Sequence, residues 1–207
     1  MKYKLTKNKK TIGDVTVYQI EALKDFLNVK KGDLGGWIEK ESNLSQQGDC
    51  WVSCRARVYD NAIVSDNAWV FGNAWVSGCA RVCDNAIVSG NVMVYGDVWV
   101  YGRARVTGDA RVYGDAWVYG DARVSGCAEI SGRVYGDAMV YGDAMVYGDA
   151  IVSGNAMVSS NAMVSGNAIV SGNARVFGNA WVSGNARVFG NARVSGNAWV
   201  SGSAIIN

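Results

Sequence analysis

The fold is decided by the stretch from Trp51 to Ile206, in which one six-residue phrase recurs, and Gly114-Asp115-Ala116-Trp117-Val118-Tyr119 is a typical copy. Valine returns every sixth residue from Val52 to Val124, and the series continues with Ile130. It resumes from Val140 to Val200 and ends on Ile206. A fixed short period indicates a repeat architecture, so it takes precedence over every other pattern in the chain.

Each hexad reads as a very short strand followed by a corner. Valine is flanked by larger or polar residues, which is the alternation of a strand with one buried face. Glycine followed by Asn or Asp suits the corner, because these residues tolerate a left-handed backbone best. Alanine, four residues after valine, is small enough to lie inside the bend. Three hexads complete one triangular coil, and the 27 hexads counted between Val52 and Ile206 predict about nine coils.

This phrase resembles the hexapeptide repeat of left-handed parallel β-helices, in which an aliphatic residue is followed four positions later by a small one. The junction from Asn43 to Val52, with Gly35-Gly36-Trp37 upstream, also resembles bacterial and phage-encoded hexapeptide-repeat proteins of the YdcK-like kind. The resemblance implies an all-β fold. It is a single-stranded left-handed parallel β-helix that forms a triangular solenoid, with a small N-terminal β-rich cap. The left hand comes from the family, since the general rule for parallel crossovers favours the other hand.

A change of composition marks a boundary near Gly48. All nine basic residues before it are lysines, and all eleven after it are arginines. We therefore predict a cap over residues 1–49 and the repeat domain over residues 50–207. In the cap, the pattern predicts a strand over Asp14–Leu23, a partner strand at Tyr3–Leu5 and a glycine turn over Gly32–Gly36.

Charge and hydropathy exclude several classes of protein. A net charge of +2 is too small to indicate nucleic acid or an anionic membrane as partner. No run approaches the roughly 18 apolar residues of a membrane span, and no apolar signal-peptide core follows the basic segment Met1–Lys10. These features predict a cytoplasmic protein. The five cysteines have irregular spacing and the chain has no histidine, which predicts unpaired thiols and neither a metal site nor a cofactor.

Residues 18 apart in sequence should stack on one face of the solenoid. This register predicts arginine pairs at Arg105 with Arg123 and at Arg175 with Arg193. It also predicts rows of aromatic side chains, and these are the candidate surface-binding residues: Trp99, Tyr101, Trp117, Tyr119, Tyr135, Trp181 and Trp199. Such rows either stiffen the solenoid by packing on each other or bind a partner, through stacking on sugars or burial against another protein chain. We expect a homo-oligomer or a protein partner, through the outer faces or the C-terminal end, and a glycan is possible.

One fault interrupts the period. Ile130 and Val134 are four residues apart, as if Asp-Ala were missing from the hexad between them. The corner should be pinched there. Two interpretations stay open: a binding notch near Glu129 and Arg133, or a tolerated deletion.

Enzymes of this fold are chiefly acyltransferases and zinc carbonic anhydrases, which by resemblance use histidine and a long loop inserted in the repeat. This chain has no histidine and no such insertion between Trp51 and Ile206. A single threonine in the repeat, Thr107, does not match an ice-binding array. We therefore expect no catalytic residues and a non-catalytic structural or interaction solenoid that presents its outer faces for self-assembly or partner binding. The alternatives are an acyltransferase-like hexapeptide protein, active or degenerate, and a glycan-binding module that uses the aromatic rows.

Overall fold

The chain forms a three-sided parallel β-solenoid, as seen in a computed structural model that describes residues 1–207. Each face is one parallel sheet with nine rungs from the repeat, and neighbouring rungs pair residues in register. The predicted fold class of about nine coils is confirmed, because the repeat contributes three short strands to every coil.

The three faces are named in chain order. The first face contains Trp51–Val52, Trp69–Val70, Ile87–Val88, Arg105–Val106, Arg123–Val124, Met139–Val140, Met157–Val158, Arg175–Val176 and Arg193–Val194. The second face contains Arg57–Val58, Trp75–Val76, Met93–Gly96, Arg111–Gly114, Glu129–Ile130, Met145–Val146, Met163–Val164, Trp181–Val182 and Trp199–Val200. The third face contains Ile63–Val64, Arg81–Val82, Trp99–Val100, Trp117–Val118, Arg133–Val134, Ile151–Val152, Ile169–Val170, Arg187–Val188 and Ile205–Ile206.

The interior is a continuous column of valine and alanine. From Val52 to Val188 the inward valines are fully buried, and so is the small residue at the bends, which is alanine at most of them and valine at Val92 and Val98. Burial of one valine side chain stabilises the fold by about 1.5 kcal/mol. Since each coil contacts only its neighbours, stability is approximately a sum over adjacent coils. The column is filled by these side chains, so chemistry has to take place on the faces, at the corners or at the ends.

Most corners require glycine, because the backbone of the next coil packs directly against them. Gly102, for example, has φ +72°, and a Cβ there would lie 2.9 Å from the backbone nitrogen of Gly120. A few corners replace this glycine by another residue with positive φ, such as Asp60 at 59° and Asp84 at 57°. These are the residue types that reach the left-handed region at least cost.

Three longer strands extend the second face at the N-terminal end: β1 (Tyr3–Ile12), β2 (Val15–Ala22) and β3 (Leu34–Ile38). β1 and β2 pair antiparallel around a turn at Gly13, and β3 pairs antiparallel with β2. On its other edge β3 pairs in parallel with the first rung of the second face, so this sheet has 12 strands. The predicted strand and its partner are confirmed, and the partner is longer than Tyr3–Leu5.

A short 3₁₀ helix, Glu41–Asn43, leads from β3 into the repeat. The buried side chain of Asn43 donates to the backbone oxygens of Asp60 and Ala62, which fixes the helix against the first coil. Leu44 then pairs with Val64 in parallel, so the third face effectively begins one coil early. The chain has no helix of the length and hydrophobicity that a membrane crossing requires.

The predicted glycine turn over Gly32–Gly36 is only partly correct. Gly32 does turn, with φ +94°, but Gly35 belongs to β3. Its role is close approach: a Cβ on Gly35 would lie 2.5 Å from Ile20 Cγ1 and 2.7 Å from the backbone oxygen of Val52. The glycine pair therefore lets β3 pack directly on the first coil, rather than forming a cradle for a ligand.

Gly35→Ala is expected to destabilise the fold by about 1–3 kcal/mol, the usual cost of adding a methyl group to a closely packed contact. Chemical denaturation monitored by circular dichroism measures the change. Leu34→Ala is the matched control, because Leu34 lies in the same strand with 55% of its surface exposed. Equal stability of the Gly35→Ala protein and the wild type would contradict the close contact.

Candidate functional site

The repeat is interrupted at the corner between the second and third faces. Ile130 and Val134 are four residues apart instead of six, yet both strands keep their register with the preceding coil, Glu129 opposite Arg111 and Arg133 opposite Trp117. The corner is therefore cut short, as predicted from the fault. It leaves a notch of about 450 Å³ lined by Gly114, Asp115, Trp117, Ser131, Gly132, Arg133, Gly148 and Asp149.

Gly132 makes the shortened corner sterically possible. The backbone nitrogens of Ser131 and Gly132 both donate to the backbone oxygen of Val146, at 2.8 and 3.1 Å. The backbone oxygen of Gly132 accepts from the nitrogen of Trp117 at 3.2 Å, the place that alanine takes in a complete hexad. A Cβ on Gly132 would lie 2.6 Å from the backbone oxygen of Ala150, so only glycine fits here.

One corner nitrogen at the notch has no hydrogen-bond partner in the chain. At the same corner one coil earlier, the backbone nitrogen of Asp97 donates to the backbone oxygen of Gly114 at 2.9 Å. The corresponding nitrogen of Asp115, at the edge of the notch, donates to no group in the chain. Three corner nitrogens of the next coil also donate to no backbone oxygen, those of Asp137, Asp143 and Asp149. Unpaired corner nitrogens therefore occur at complete corners as well, and two of them, those of Asp115 and Asp149, lie at the notch.

The side chains around the notch include both negatively and positively charged groups. Asp115 and Asp149 supply carboxylates, Ser131 a hydroxyl and Arg133 a guanidinium group. Both aspartates and the arginine are exposed, and none of them belongs to an ion pair within the chain. A carboxylate can accept a proton, while a guanidinium and a backbone N–H can stabilise negative charge on an oxygen atom. The notch therefore has the parts for proton transfer next to an anion-stabilising group.

Glu129 lies beside the notch, and its side chain has two hydrogen-bond partners. Its carboxylate accepts from Arg111 Nη1 at 3.4 Å and from the Tyr147 hydroxyl at 3.4 Å. Burial, and then the neighbouring Tyr113 and Glu129, raise the pKa of Tyr147 to about 12, so its phenol remains protonated and donates. Because both donors hold this carboxylate, Glu129 is a structural neighbour of the notch rather than a free base.

The predicted aromatic rows are present on the second and third faces. Trp99 stacks on Trp117 with ring centroids 5.9 Å apart, and Trp181 stacks on Trp199 at 5.1 Å. Tyr101, Tyr119 and Tyr135 form a second row beside the first of these pairs, with 4.8 Å between successive centroids. The row formed by Trp99 and Trp117 ends at the notch, because Trp117 is one of the residues that line the notch. That any of these rows binds a glycan, a partner protein or a second copy of the chain stays a prediction.

All five cysteines are unpaired thiols, as predicted. Only Cys83 lies in a group of three potential ligands, with Asp66 and Asp84, whose ligand atoms are within 4.8 Å of one another. Burial, and then the adjacent carboxylates of Asp84 and Asp66, raise the pKa of the Cys83 thiol to about 11. The sulfur is therefore protonated near neutral pH.

The sequence located the notch through Glu129 and Arg133 but missed the aspartates and Ser131. Asp115 and Asp149 are 34 residues apart, so the fault hides their relation to each other from a count in steps of 18. The sequence could have shown this relation. If the 18-residue period is shortened by two residues at Gly132, Asp115 lies one coil before the shortened corner and Asp149 lies one coil after it.

Comparison with a family model, described as the YdcK beta solenoid repeat, gives matches at residues 56–70, 80–96, 88–102, 100–114, 104–120, 133–148, 140–154, 170–184, 182–195, 186–202 and 192–206. Together they cover 115 of the 207 residues. They leave out residues 121–132, which include the shortened corner. The family resemblance stated from the sequence is confirmed.

A curated relative, the uncharacterized acetyltransferase YdcK of Escherichia coli (strain K12), is 40% identical over 53 residues. The match covers 25% of this chain and 16% of the relative, so the chain spans only a small part of that protein. Among solved structures, the Francisella novicida UDP-N-acetylglucosamine acyltransferase has a TM-score of 0.63 at 14% identity. That likeness covers 73% of this chain and 62% of the other, and it shows a shared fold.

These comparisons correct the functional expectation. The prediction of a non-catalytic structural or interaction solenoid, and of no enzyme activity, is wrong: the matched relative is named as an acetyltransferase, and an acyltransferase has the same fold. The error came from treating histidine as the only proton acceptor that the fold can use. The acyltransferase-like alternative is the better supported of the interpretations drawn from the sequence.

Proposed function

The chain belongs to the YdcK β-solenoid repeat family, and from that membership we propose that it is an acyltransferase, which transfers an acetyl group from a thioester donor to an amine or hydroxyl acceptor. The single observation that carries the proposal is the notch at the shortened corner. It brings two unpaired carboxylates, a guanidinium and a free backbone N–H to one place on an otherwise regular solenoid.

The notch can supply both requirements of acyl transfer. The acceptor nitrogen or oxygen attacks the thioester carbonyl carbon, the C–S bond breaks, and the thiol leaves with a proton. Asp149 or Asp115 accepts the proton from the acceptor and returns it to the departing sulfur. Arg133 and the backbone N–H of Asp115 stabilise the negative charge that develops on the carbonyl oxygen.

The lack of histidine does not prevent this chemistry. Histidine is the usual general base because its unperturbed pKa lies near neutrality, but a carboxylate also serves as a general base in many enzymes. A carboxylate is the weaker base of the two, so this mechanism depends more strongly on how the notch positions the acceptor and stabilises the carbonyl oxygen.

The test is release of coenzyme A from acetyl-coenzyme A by the purified chain, with hexosamines and lysine peptides as acceptors. Mass spectrometry should quantify coenzyme A and the acetylated product, because the five free thiols of the protein would react with a thiol reagent. We expect the double variant D115N/D149N to lose activity by about a hundredfold, the lower range for loss of a general base. R133Q should also reduce the rate.

The matched control is D97N. Asp97 occupies the same corner one coil earlier, but its backbone nitrogen is satisfied by Gly114 and its side chain does not line the notch. Its activity should equal that of the wild type. The proposal fails if the folded wild-type chain releases no coenzyme A above the uncatalysed rate, or if D97N loses as much activity as D115N/D149N.

A further inference from the structure

A second groove lies on the first face, away from the notch. Four successive rungs carry Met139, Met157, Arg175 and Arg193 outward, and the corner beside them carries an asparagine in each of three coils. The groove has a volume of about 410 Å³ and is lined by Met139, Asn155, Met157, Asn173, Arg175, Asn191 and Arg193.

The two arginines in this groove have no counter-charge. Arg175 and Arg193 are directly opposite each other in adjacent rungs, about 4.8 Å apart along the solenoid. Both are exposed, and neither belongs to an ion pair. The last 58 residues, 150–207, contain three arginines and not one aspartate or glutamate. Two guanidinium groups stacked in this way repel each other, so a bound anion would relieve an unfavourable contact.

The asparagines form a fixed wall along the same groove. Asn155 Nδ2 donates to Asn173 Oδ1 at 3.1 Å, and Asn173 Nδ2 donates to Asn191 Oδ1 at 3.2 Å. The carboxamide nitrogen of Asn191, at the end of this ladder, donates to no group in the chain. Each amide nitrogen carries two hydrogens, so the ladder offers further N–H donors beside the guanidinium groups. Guanidinium and N–H donors together suit phosphate oxygens.

The first face carries a second arginine pair that serves as an internal comparison. Arg105 and Arg123 are paired in the same way, one rung apart, and also line a groove, of about 330 Å³. There, however, Asp121 and Asp137 line the groove as well, together with Arg103. No ion pair joins Arg103 to Asp121, but the two carboxylates supply negative charge locally. Only the groove of Arg175 and Arg193 therefore lacks an anion of its own.

We propose that the groove of Arg175 and Arg193 binds the diphosphate group of a small molecule. Each guanidinium binds one phosphate through paired N–H donors, because the rung spacing sets the two arginines side by side. The asparagine ladder donates to the remaining oxygens, and Met139 and Met157 give an apolar contact for the group attached to the diphosphate. This binding does not rest on acetyl transfer, since the notch and the groove share no residue.

The test is equilibrium dialysis of the full chain against radiolabelled inorganic pyrophosphate at low ionic strength. We expect saturable binding by the wild type, with at least tenfold weaker binding by the double variant R175Q/R193Q. The matched control R105Q/R123Q should bind within twofold of the wild type. Circular dichroism and thermal melting of both variants establish that they are folded, which is expected because all four arginines are exposed.

Competition identifies the source of the diphosphate. Displacement of pyrophosphate by ADP and by coenzyme A indicates a nucleotide-type ligand, and displacement by coenzyme A alone indicates an acyl carrier. Displacement by neither overturns the proposal, because the groove would then not accept a group attached to the diphosphate. Absence of saturable binding by the wild type overturns the proposal. So does an equal loss of binding in R175Q/R193Q and R105Q/R123Q, because binding would then reflect general positive charge.

Discussion

Inserting Asp-Ala between Gly132 and Arg133 is expected to stabilise the solenoid and to abolish acetyl transfer. The insertion completes the shortened hexad, so the new alanine fills the bend and the new corner supplies an acceptor for the backbone nitrogen of Asp115. One restored hydrogen bond contributes about 1 kcal/mol, and a buried methyl group adds about as much again. We therefore expect a gain of about 2 kcal/mol.

The loss of activity has the same cause as the gain in stability. A complete corner would fill the space in which Asp115, Arg133 and Asp149 now meet, and it would use the free N–H. Thermal melting and the coenzyme A assay, on the same preparation, measure both effects. Insertion of Gly-Gly at the same place is the control, since it restores the length without the buried methyl group and should stabilise less. A lower melting temperature for the Asp-Ala insertion would show that this corner does not lack two residues of a regular hexad.

The repeat itself could be predicted almost completely from the sequence. A strict period of 18 fixes which residues share a rung, so Trp99 with Trp117 and Arg175 with Arg193 follow from counting alone. The same counting fails across the fault, which is why the aspartates of the notch, Asp115 and Asp149, were missed: they are 34 residues apart instead of 36. Gly35 was misread because extended glycine and turning glycine look alike in sequence, and only the coil that packs on it decides between them.

The function was less accessible for a different reason. The chain contains no histidine. This absence excludes one kind of proton acceptor, but it does not exclude acyl transfer. In the proposed mechanism the groups that replace histidine, the carboxylates and a backbone N–H, come together only because two residues are absent from one corner. Neither the composition nor the individual motifs carry that information, since aspartate at a corner is otherwise an ordinary part of the repeat, as at Asp97 and Asp109.

Lys2→Met is expected to destabilise the N-terminal end of the solenoid by about 2–4 kcal/mol. The Lys2 side chain is almost fully buried, with 1% of its surface exposed, although no carboxylate pairs with it. Its Nζ instead donates to the backbone oxygens of Cys50 at 2.8 Å and of Gln47 and Gly48 at 3.3 Å. Methionine fills similar space but cannot donate, and each buried oxygen left without a partner costs about 1–3 kcal/mol.

The effect should be local, because these three carbonyls belong to the turn that leads into the first coil. Amide hydrogen exchange in Lys2→Met should therefore accelerate in β1, β2 and the first coil, and remain unchanged in the coils beyond the notch. Lys7→Met is the matched control, since Lys7 lies in β1, which begins directly after Lys2, is exposed and forms no hydrogen bond through its side chain. If both variants melt like the wild type, the lysine does not hold this end of the solenoid closed. If Lys2→Met accelerates exchange along the whole chain, the coils unfold as one unit rather than as a sum of neighbouring contacts.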